Sequence, residues 1–208
     1  MRRGCAQLRS GCPGTCRSRR GPGRSRCRAG TASQSQWSRL RGTPAPSATS
    51  VESAAAILAA SMFGPLLVGM KVTLRPGRES DAECFVRWFA DVDVIRHLGR
   101  RMAVALYQEH EFLKKIGESK NDVWWMIEAG SRPIGATGIH GINWLDANGM
   151  TGIMIGEKDE WGKGNATEAM ALRTRYAFRE LNLHKLMTEV EIENVASRRA
   201  LERNGYRT

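Results

Sequence analysis

One passage constrains this chain more than any other. A strand-like run, Met150 to Gly156, leads into Trp161-Gly162-Lys163-Gly164-Asn165-Ala166, and a helical pattern follows to about Glu180. The first amides of a helix lack internal partners and carry a partial positive charge. Gly162 and Gly164 let the backbone bend and approach a ligand with no side chain in the way. Lys163 adds charge, and the small Ala166 lets the first helical turn sit close to a ligand. A loop of this kind receives a pyrophosphate or another anion.

Two familiar phosphate-binding loops fail on the residues. A Walker loop needs Gly-Lys-Ser/Thr, and here Gly164 is followed by Asn165-Ala166. A dinucleotide fingerprint needs a third glycine, an early position and an acid after the next strand. Around the loop, alternation and cap residues predict a mixed α/β order. Strand 72–76 is followed by helices near 81–90, 92–98 and 103–116, then strands 123–129, 134–142 and 150–156. Helix 164–180, strand 184–192 and helix 194–204 complete it, with Gly205 as the last C-terminal cap.

Several separated motifs occur in one order. Gly152-Ile153-Met154-Ile155-Gly156, the glycine loop, Thr167-Glu168-Ala169, Asn194-Val195-Ala196-Ser197 and Leu201-Glu202-Arg203-Asn204-Gly205-Tyr206 closely resemble the GNAT superfamily of N-acetyltransferases. The branch they look most like contains the ribosomal-protein N-terminal and spermidine N-acetyltransferases, and Leu74-Arg75-Pro76 with Asp81 matches its opening strand and helix. The resemblance covers about 70–208. It implies a central mixed, mostly antiparallel sheet flanked by helices. It also implies an acyltransferase that moves an acetyl group from acetyl-CoA to a primary amine, on a small molecule, a polyamine or a peptide N-terminus, with no metal.

By the same resemblance, the strand 152–156 splays from its neighbour, and its backbone at Met154, Ile155 and Gly156 pairs with the pantetheine arm. Amides of Gly162, Lys163, Gly164, Asn165 and Ala166 hold the pyrophosphate. Trp161 stands where the wider superfamily has Gln or Arg. Asn194 contacts the cofactor, and Ser197 protonates or hydrogen-bonds the departing thiolate as a possible general acid. The general base stays unassigned: Glu128 and His140 lie on strands near the cleft, and Glu157, Asp159 and Glu160 form an acidic cluster beside it that would suit a cationic acceptor.

Charge locates the rest. The chain holds 32 basic and 21 acidic residues, and eleven of the basic ones, all Arg, fall in residues 1–50, which contain no acid. Residues 51–208 are therefore balanced at 21 of each sign, so the net charge of +11 argues for no nucleic-acid ligand of the folded part. Residues 1–69 read as a disordered Arg/Gly/Ser/Pro-rich extension ending in an Ala-rich stretch without charge from Ser53 to Met70. A transit peptide, a nucleic-acid-binding tail and an upstream extension before Met62 or Met70 compete for it, and the last is expected. The uncharged stretch carries Gly64, Pro65 and Gly69, which argues against a membrane span and for a floppy or short helical lead-in. Cys5, Cys12, Cys16 and Cys27 have no neighbouring His and no CxxC spacing, so no zinc site is expected. The single Cys84 beyond them fits a reducing, cytoplasmic setting.

Family members normally continue past the equivalent of Gly205-Tyr206 into a further strand pair. The resemblance therefore implies a domain that lacks the last strands, with an unpaired sheet edge. A non-catalytic acetyl-CoA-binding or interaction domain is the alternative reading. Acceptor and oligomeric state are not encoded in any motif.

Overall fold

The computed structural model describes residues 3–9, 63–99 and 101–207. Strands β1 (Arg3–Arg9), β2 (Leu67–Val68), β3 (Thr73–Arg75), β4 (Val123–Ala129), β5 (Arg132–Asn143), β6 (Asn148–Ile155) and β7 (Lys185–Glu191) form one sheet. Its order is β1-β7-β6-β5-β4-β3-β2. Every pairing is antiparallel except β6 with β7. Helices α1 (Ala82–Phe89), α2 (Val92–Ile95) and α3 (Leu106–Glu118) follow β3, α4 (Asn165–Arg179) joins β6 to β7, and α5 (Val195–Arg203) follows β7. The expected mixed, mostly antiparallel sheet flanked by helices is the fold observed.

The sheet separates two apolar cores because side chains alternate along a strand. In β4, Trp125 and Ile127 join the core shared with α4 and α5, where Ala169, Met170, Ala177 and Leu201 pack. Trp124 and Met126 join the opposite core, with Phe85, Trp88, Leu113 and Ile116 from α1 and α3. A strand covered on both faces reads as a continuous apolar run, as Val-Trp-Trp-Met-Ile does. In α1, Ala82, Phe85 and Trp88 share one face at helical spacing and are the buried members.

Residues 63–70, expected as a floppy or short helical lead-in, pack against the sheet, and Leu67–Val68 is a strand. Phe63 bridges to Trp124, Gly64 N–H donates to the Trp124 carbonyl at 3.0 Å, and Pro65 O accepts the Trp125 indole N–H at 2.9 Å. Trp125 leaves no room for a Cβ at Gly64, which is why glycine stands there. Tertiary contact with two tryptophans outside the segment thus orders a stretch with no periodicity of its own.

Two further expectations differ from the structure. Arg3–Arg9, read as part of a disordered extension, is a strand in register with β7, from Arg3 opposite Glu191 to Arg9 opposite Lys185. The unpaired edge implied for the sheet is therefore covered at β7. An open strand edge presents a row of free N–H and C=O groups, and any extended segment satisfies them largely without regard to its side chains. Residues 10–62, with Cys12, Cys16, Cys27 and most of the uncharged stretch, lie outside the described residues.

Candidate active site

The site is built where β6 and β7 part. Their parallel ladder runs only from Asn148 opposite Lys185 to Met150 opposite Met187. Just past it two threonines bridge the strands: Thr151 Oγ1 donates to the Met187 carbonyl at 3.1 Å, and Thr188 Oγ1 donates to the Thr151 carbonyl at 2.8 Å. Beyond them β6 continues to Ile155 with β5 alone as its ladder partner. A gap thus opens between Gly152–Ile155 and the second half of β7. Because β6 and β7 are parallel, their carboxyl ends, the glycine loop and Asn194 all lie at its mouth.

Arg173 braces the base of this gap from α4. The guanidinium is 1 % exposed; its Nη1 donates to Thr137 Oγ1 at 2.6 Å and to the Gly152 carbonyl at 2.8 Å. Its Nη2 donates to the Tyr206 hydroxyl at 3.4 Å, and that hydroxyl meets Thr151 Oγ1 at 3.2 Å. Burial pulls the proton affinity of Arg173 below its ordinary value, which nearby Tyr206 partly offsets. Neither Arg173 nor Thr137, Thr151 or Thr188 stood out in the sequence. The readable sign was a cation on the apolar stripe of α4, four residues from both Ala169 and Ala177.

The loop after β6 takes the backbone geometry that its two glycines allow. Gly162 and Gly164 adopt φ of 75° and 87°, a left-handed backbone that favours glycine. Gly164 caps α4 without a side-chain bond, and the Glu168 amide donates to its carbonyl at 3.1 Å. The amides of Asn165, Ala166 and Thr167 precede that bond and have no helical carbonyl to reach. The cation over the loop is a different one from that expected. Lys163 Nζ is held by Glu160 Oε1 at 2.9 Å, whereas Lys71 Nζ donates to the Lys163 carbonyl at 2.9 Å. Lys71 is held there by the β2–β3 turn, whose Met70 and Lys71 amides both donate to the Glu168 carboxylate, at 2.6 and 2.8 Å. Trp161 lies across the end of β6, its indole N–H donating to the Ile155 carbonyl at 2.9 Å.

The acidic cluster beside the loop is internally neutralised, contrary to its reading as a free attractor of cations. Glu157 accepts from Trp88 Nε1 at 2.8 Å and pairs with Arg87 and Arg132. Asp159 pairs with Arg132 at 2.7 Å, and Glu160 with Lys163 and Asn165. Burial works to raise the Glu157 carboxyl, but the Trp88 and Arg87 hydrogen bonds overcome it and leave it below the usual range. The Arg132 hydrogen bond depresses Asp159, and the Lys163 bond depresses Glu160. Glu128 is held at 2.5 Å by Arg75. Four of the five base candidates are thus engaged with cations.

The α1–α2 segment straps the mouth from the other face. Arg87 and Trp88 reach Glu157 on the β6 side, and Lys158 Nζ meets Asp91 at 2.7 Å. On the β7 side, His97 Nδ1 and Glu191 Oε2 are 2.9 Å apart. Asn194 caps α5, its Oδ1 accepting the Ser197 amide at 3.0 Å, which leaves its Nδ2 for any contact with a ligand. Asn204 fastens α5 to α4 by donating to the Thr167 carbonyl at 3.1 Å. Among the described residues there is no cluster of three or more metal-ligating side chains, and no helix long and apolar enough to cross a membrane.

A family model described as an acetyltransferase (GNAT) domain matches residues 71–207, and the chain belongs to that family. It is 25% identical over 132 residues, 61% of this chain and 74% of the other, to an uncharacterized N-acetyltransferase p20 of Bacillus licheniformis. Among solved structures it is similar to a putative acetyltransferase from T. thermophilus, at 28% identity and TM-score 0.58, over 67% of this chain and 74% of that one. A spermidine N-acetyltransferase from Vibrio cholerae, solved in complex with CoA and spermine, shares the fold at 21% identity and TM-score 0.61, over 66% and 81% of the two chains.

Proposed function

We propose that this protein is an N-acetyltransferase that transfers the acetyl group of acetyl-CoA to a primary amine by direct attack on the thioester. The observation that carries the reading is the parting of β6 from β7 beyond Met150, with a side-chain-free, left-handed loop and open helix amides at its end. The gap takes an extended pantetheine as an added strand beside Met154, Ile155 and Gly156. The amides of 162–166 take the pyrophosphate, and Lys71 supplies a cation beside them. Acetyl-CoA contributes an activated acyl group with a thiolate leaving group.

The chain's own contribution is positioning. Arg173, Thr151 and Thr188 hold the base of the gap open at a fixed width, so the reacting atoms meet without a search through orientations. Backbone N–H groups of β6 are placed to stabilise charge that develops on the carbonyl oxygen. Ser197, on the first turn of α5, is assigned to hydrogen-bond the thiolate as it leaves, and Asn194 orders that turn. The α1–α2 strap forms the wall past which an amine enters. The Vibrio cholerae relative was solved with spermine, which supports a polyamine as one acceptor class; a peptide N-terminus is the other.

Calorimetry with acetyl-CoA, followed by a thiol-release assay on spermidine, a peptide with a free N-terminus and a small aliphatic amine, tests the reading. Binding with release on at least one amine is expected. Binding without turnover on any of them would instead make this a non-catalytic acetyl-CoA-binding domain, and absence of binding would remove the cofactor assignment.

A further inference from the structure

On the face of the sheet that carries α1 and α3, β5 and β6 present a bare floor. Gly138 and Gly152 stand opposite each other in the register, and both lie on this face with Ala136, His140 and Met154. The Trp124 indole covers Gly138 and leaves no room for a Cβ there. The His140 imidazole lies over Gly152, with Nε2 at 3.6 Å from where a Cβ would stand. Met154, the first of the three residues beside which the pantetheine arm is placed in the reading above, is two residues further along the same face of β6. At roughly 3.3 Å per residue, that is about 7 Å along the strand, a span filled by an amine nitrogen or by an amine and one water.

The Trp124 hydrogen bond sets the tautomer of His140. The Trp124 indole N–H is only a donor and lies 3.4 Å from Nε2, so Nε2 is the unprotonated nitrogen. Asp122 Oδ1 lies 3.7 Å from Nδ1, the nitrogen that then carries the hydrogen. Asp122 is itself oriented by the Ser119 hydroxyl and the Gly141 amide, at 2.5 and 2.8 Å. A carboxylate near Nδ1 and an unprotonated Nε2 above Gly152 is the arrangement in which imidazole accepts protons. The Trp124 bond is long and weak, so a substrate proton competes for Nε2. Burial lowers the ring's proton affinity, Asp122 works to raise it, and Arg173, through the sheet, lowers it further.

We propose that His140 is the general base of the acetyl transfer, taking the proton of the attacking amine on Nε2 directly or through one water. This rests on the acetyl-transfer reading above. The amine lone pair forms the N–C bond to the carbonyl carbon as the C–S bond breaks. One proton of the ammonium passes to His140 and on to solvent, and the thiolate takes a proton from Ser197 or solvent. The products are an amide and a thiol: the proton that His140 passes to solvent balances the one that the thiolate, or Ser197 after donating its own, takes back. Of the five base candidates read from the sequence, His140 is the one with no strong cationic partner.

The test compares wild type with His140→Gln on spermidine and on the free peptide, across pH 5 to 9. The expected result is a kcat lower by about 10²–10⁴-fold, with the dissociation constant for acetyl-CoA unchanged. The acid limb of the wild-type pH profile, which falls below pH 6.5 because the ring's proton affinity is lowered, should disappear in the variant. Added imidazole should partly restore turnover in His140→Ala. A variant that keeps kcat within about threefold at every pH overturns the assignment. So does wild type that binds acetyl-CoA yet acetylates neither amine, and wild type that fails to bind acetyl-CoA removes the underlying reading first. If the variants do not fold, carbethoxylation of wild type decides. Activity loss in step with mass-mapped modification of His140 supports the base, and full activity in protein modified at His140 sinks it.

Discussion

The Arg75 guanidinium, 5 % exposed, makes two parallel 2.8 Å bonds to the Asp81 carboxylate and a third bond to Glu128. The Asp81 bonds hold its proton affinity above that of a free guanidinium, against the opposing effect of burial. Removing Asp81 breaks a buried bidentate pair and leaves Glu128 alone to face the guanidinium, so Asp81→Ala should lower the unfolding free energy by about 3–5 kcal/mol, read as a lower urea midpoint. Gly164 offers a paired comparison. Its φ of 87° makes Gly164→Ala cost about 1–2 kcal/mol of backbone strain, and the same holds for Gly130 at φ 63° in the β4–β5 turn. Only the first change should weaken acetyl-CoA binding in calorimetry; equal effects of both would detach the loop from the ligand. His140 also ties stability to pH. Its folded proton affinity lies below the unfolded value near 6.5, so the unfolded chain binds more protons in the window between the two. Stability should therefore be full above that window and fall as pH drops through it. Urea midpoints at pH 5 and 7.5 check this, and His140→Gln should reduce the difference.

At the scale of elements, one carboxylate couples three of them. Glu168, in the first turn of α4, accepts both amides of the β2–β3 turn and so delivers Lys71 to the glycine loop. Gly69 is part of the same fit, since a Cβ there would meet the Glu168 carboxylate at 2.7 Å. Glu168→Ala should cost about 1 kcal/mol of stability and speed hydrogen exchange at Met70 and Lys71. It should also weaken acetyl-CoA binding more at low salt than at high salt, because the loss is of a placed cation. Unchanged affinity at both salt concentrations would show that the hairpin only packs against the helix. Arg173 plays the matching part beneath the sheet, joining α4 to β5, β6 and Tyr206 beyond α5 through neutral acceptors alone.

At the scale of the whole molecule, both edges of the sheet are formed by segments far from their neighbours in sequence or outside the matched helices and strands of the core. β1 covers the outer edge of β7, and residues 63–68 cover the other side of the β3–β4 unit. Deleting residues 1–10 exposes the β7 edge, whose alternating buried positions at Leu186, Thr188 and Val190 remain anchored in the core. Concentration-dependent self-association is expected, measured by light scattering, with acetyl-CoA binding retained in the monomer. A deletion variant that stays monomeric at high concentration would show that the edge does not need this cover.

The sequence alone determined the chain's local grammar: strand, left-handed glycine loop and helix at 150–180, the capped helix at 195–203, and the apolar run of β4. Each depends on contacts within a few residues, such as the φ that only glycine adopts readily or an Asn194 side chain three residues from its amide. It also separated the charge of the first fifty residues from the balanced remainder. Tertiary structure decided which charges are free. Glu128, Glu157, Asp159 and Glu160 look like candidate bases in a linear reading. Their partners Arg75, Arg87, Arg132 and Lys163 are mostly brought to them by folding, from up to 70 residues away. Folding likewise put Lys71 over the loop, Arg173 under the gap, β1 on the β7 edge and His140 over a glycine floor. Pair energies between charged groups depend on distance and burial, and neither quantity is written in the order of the residues.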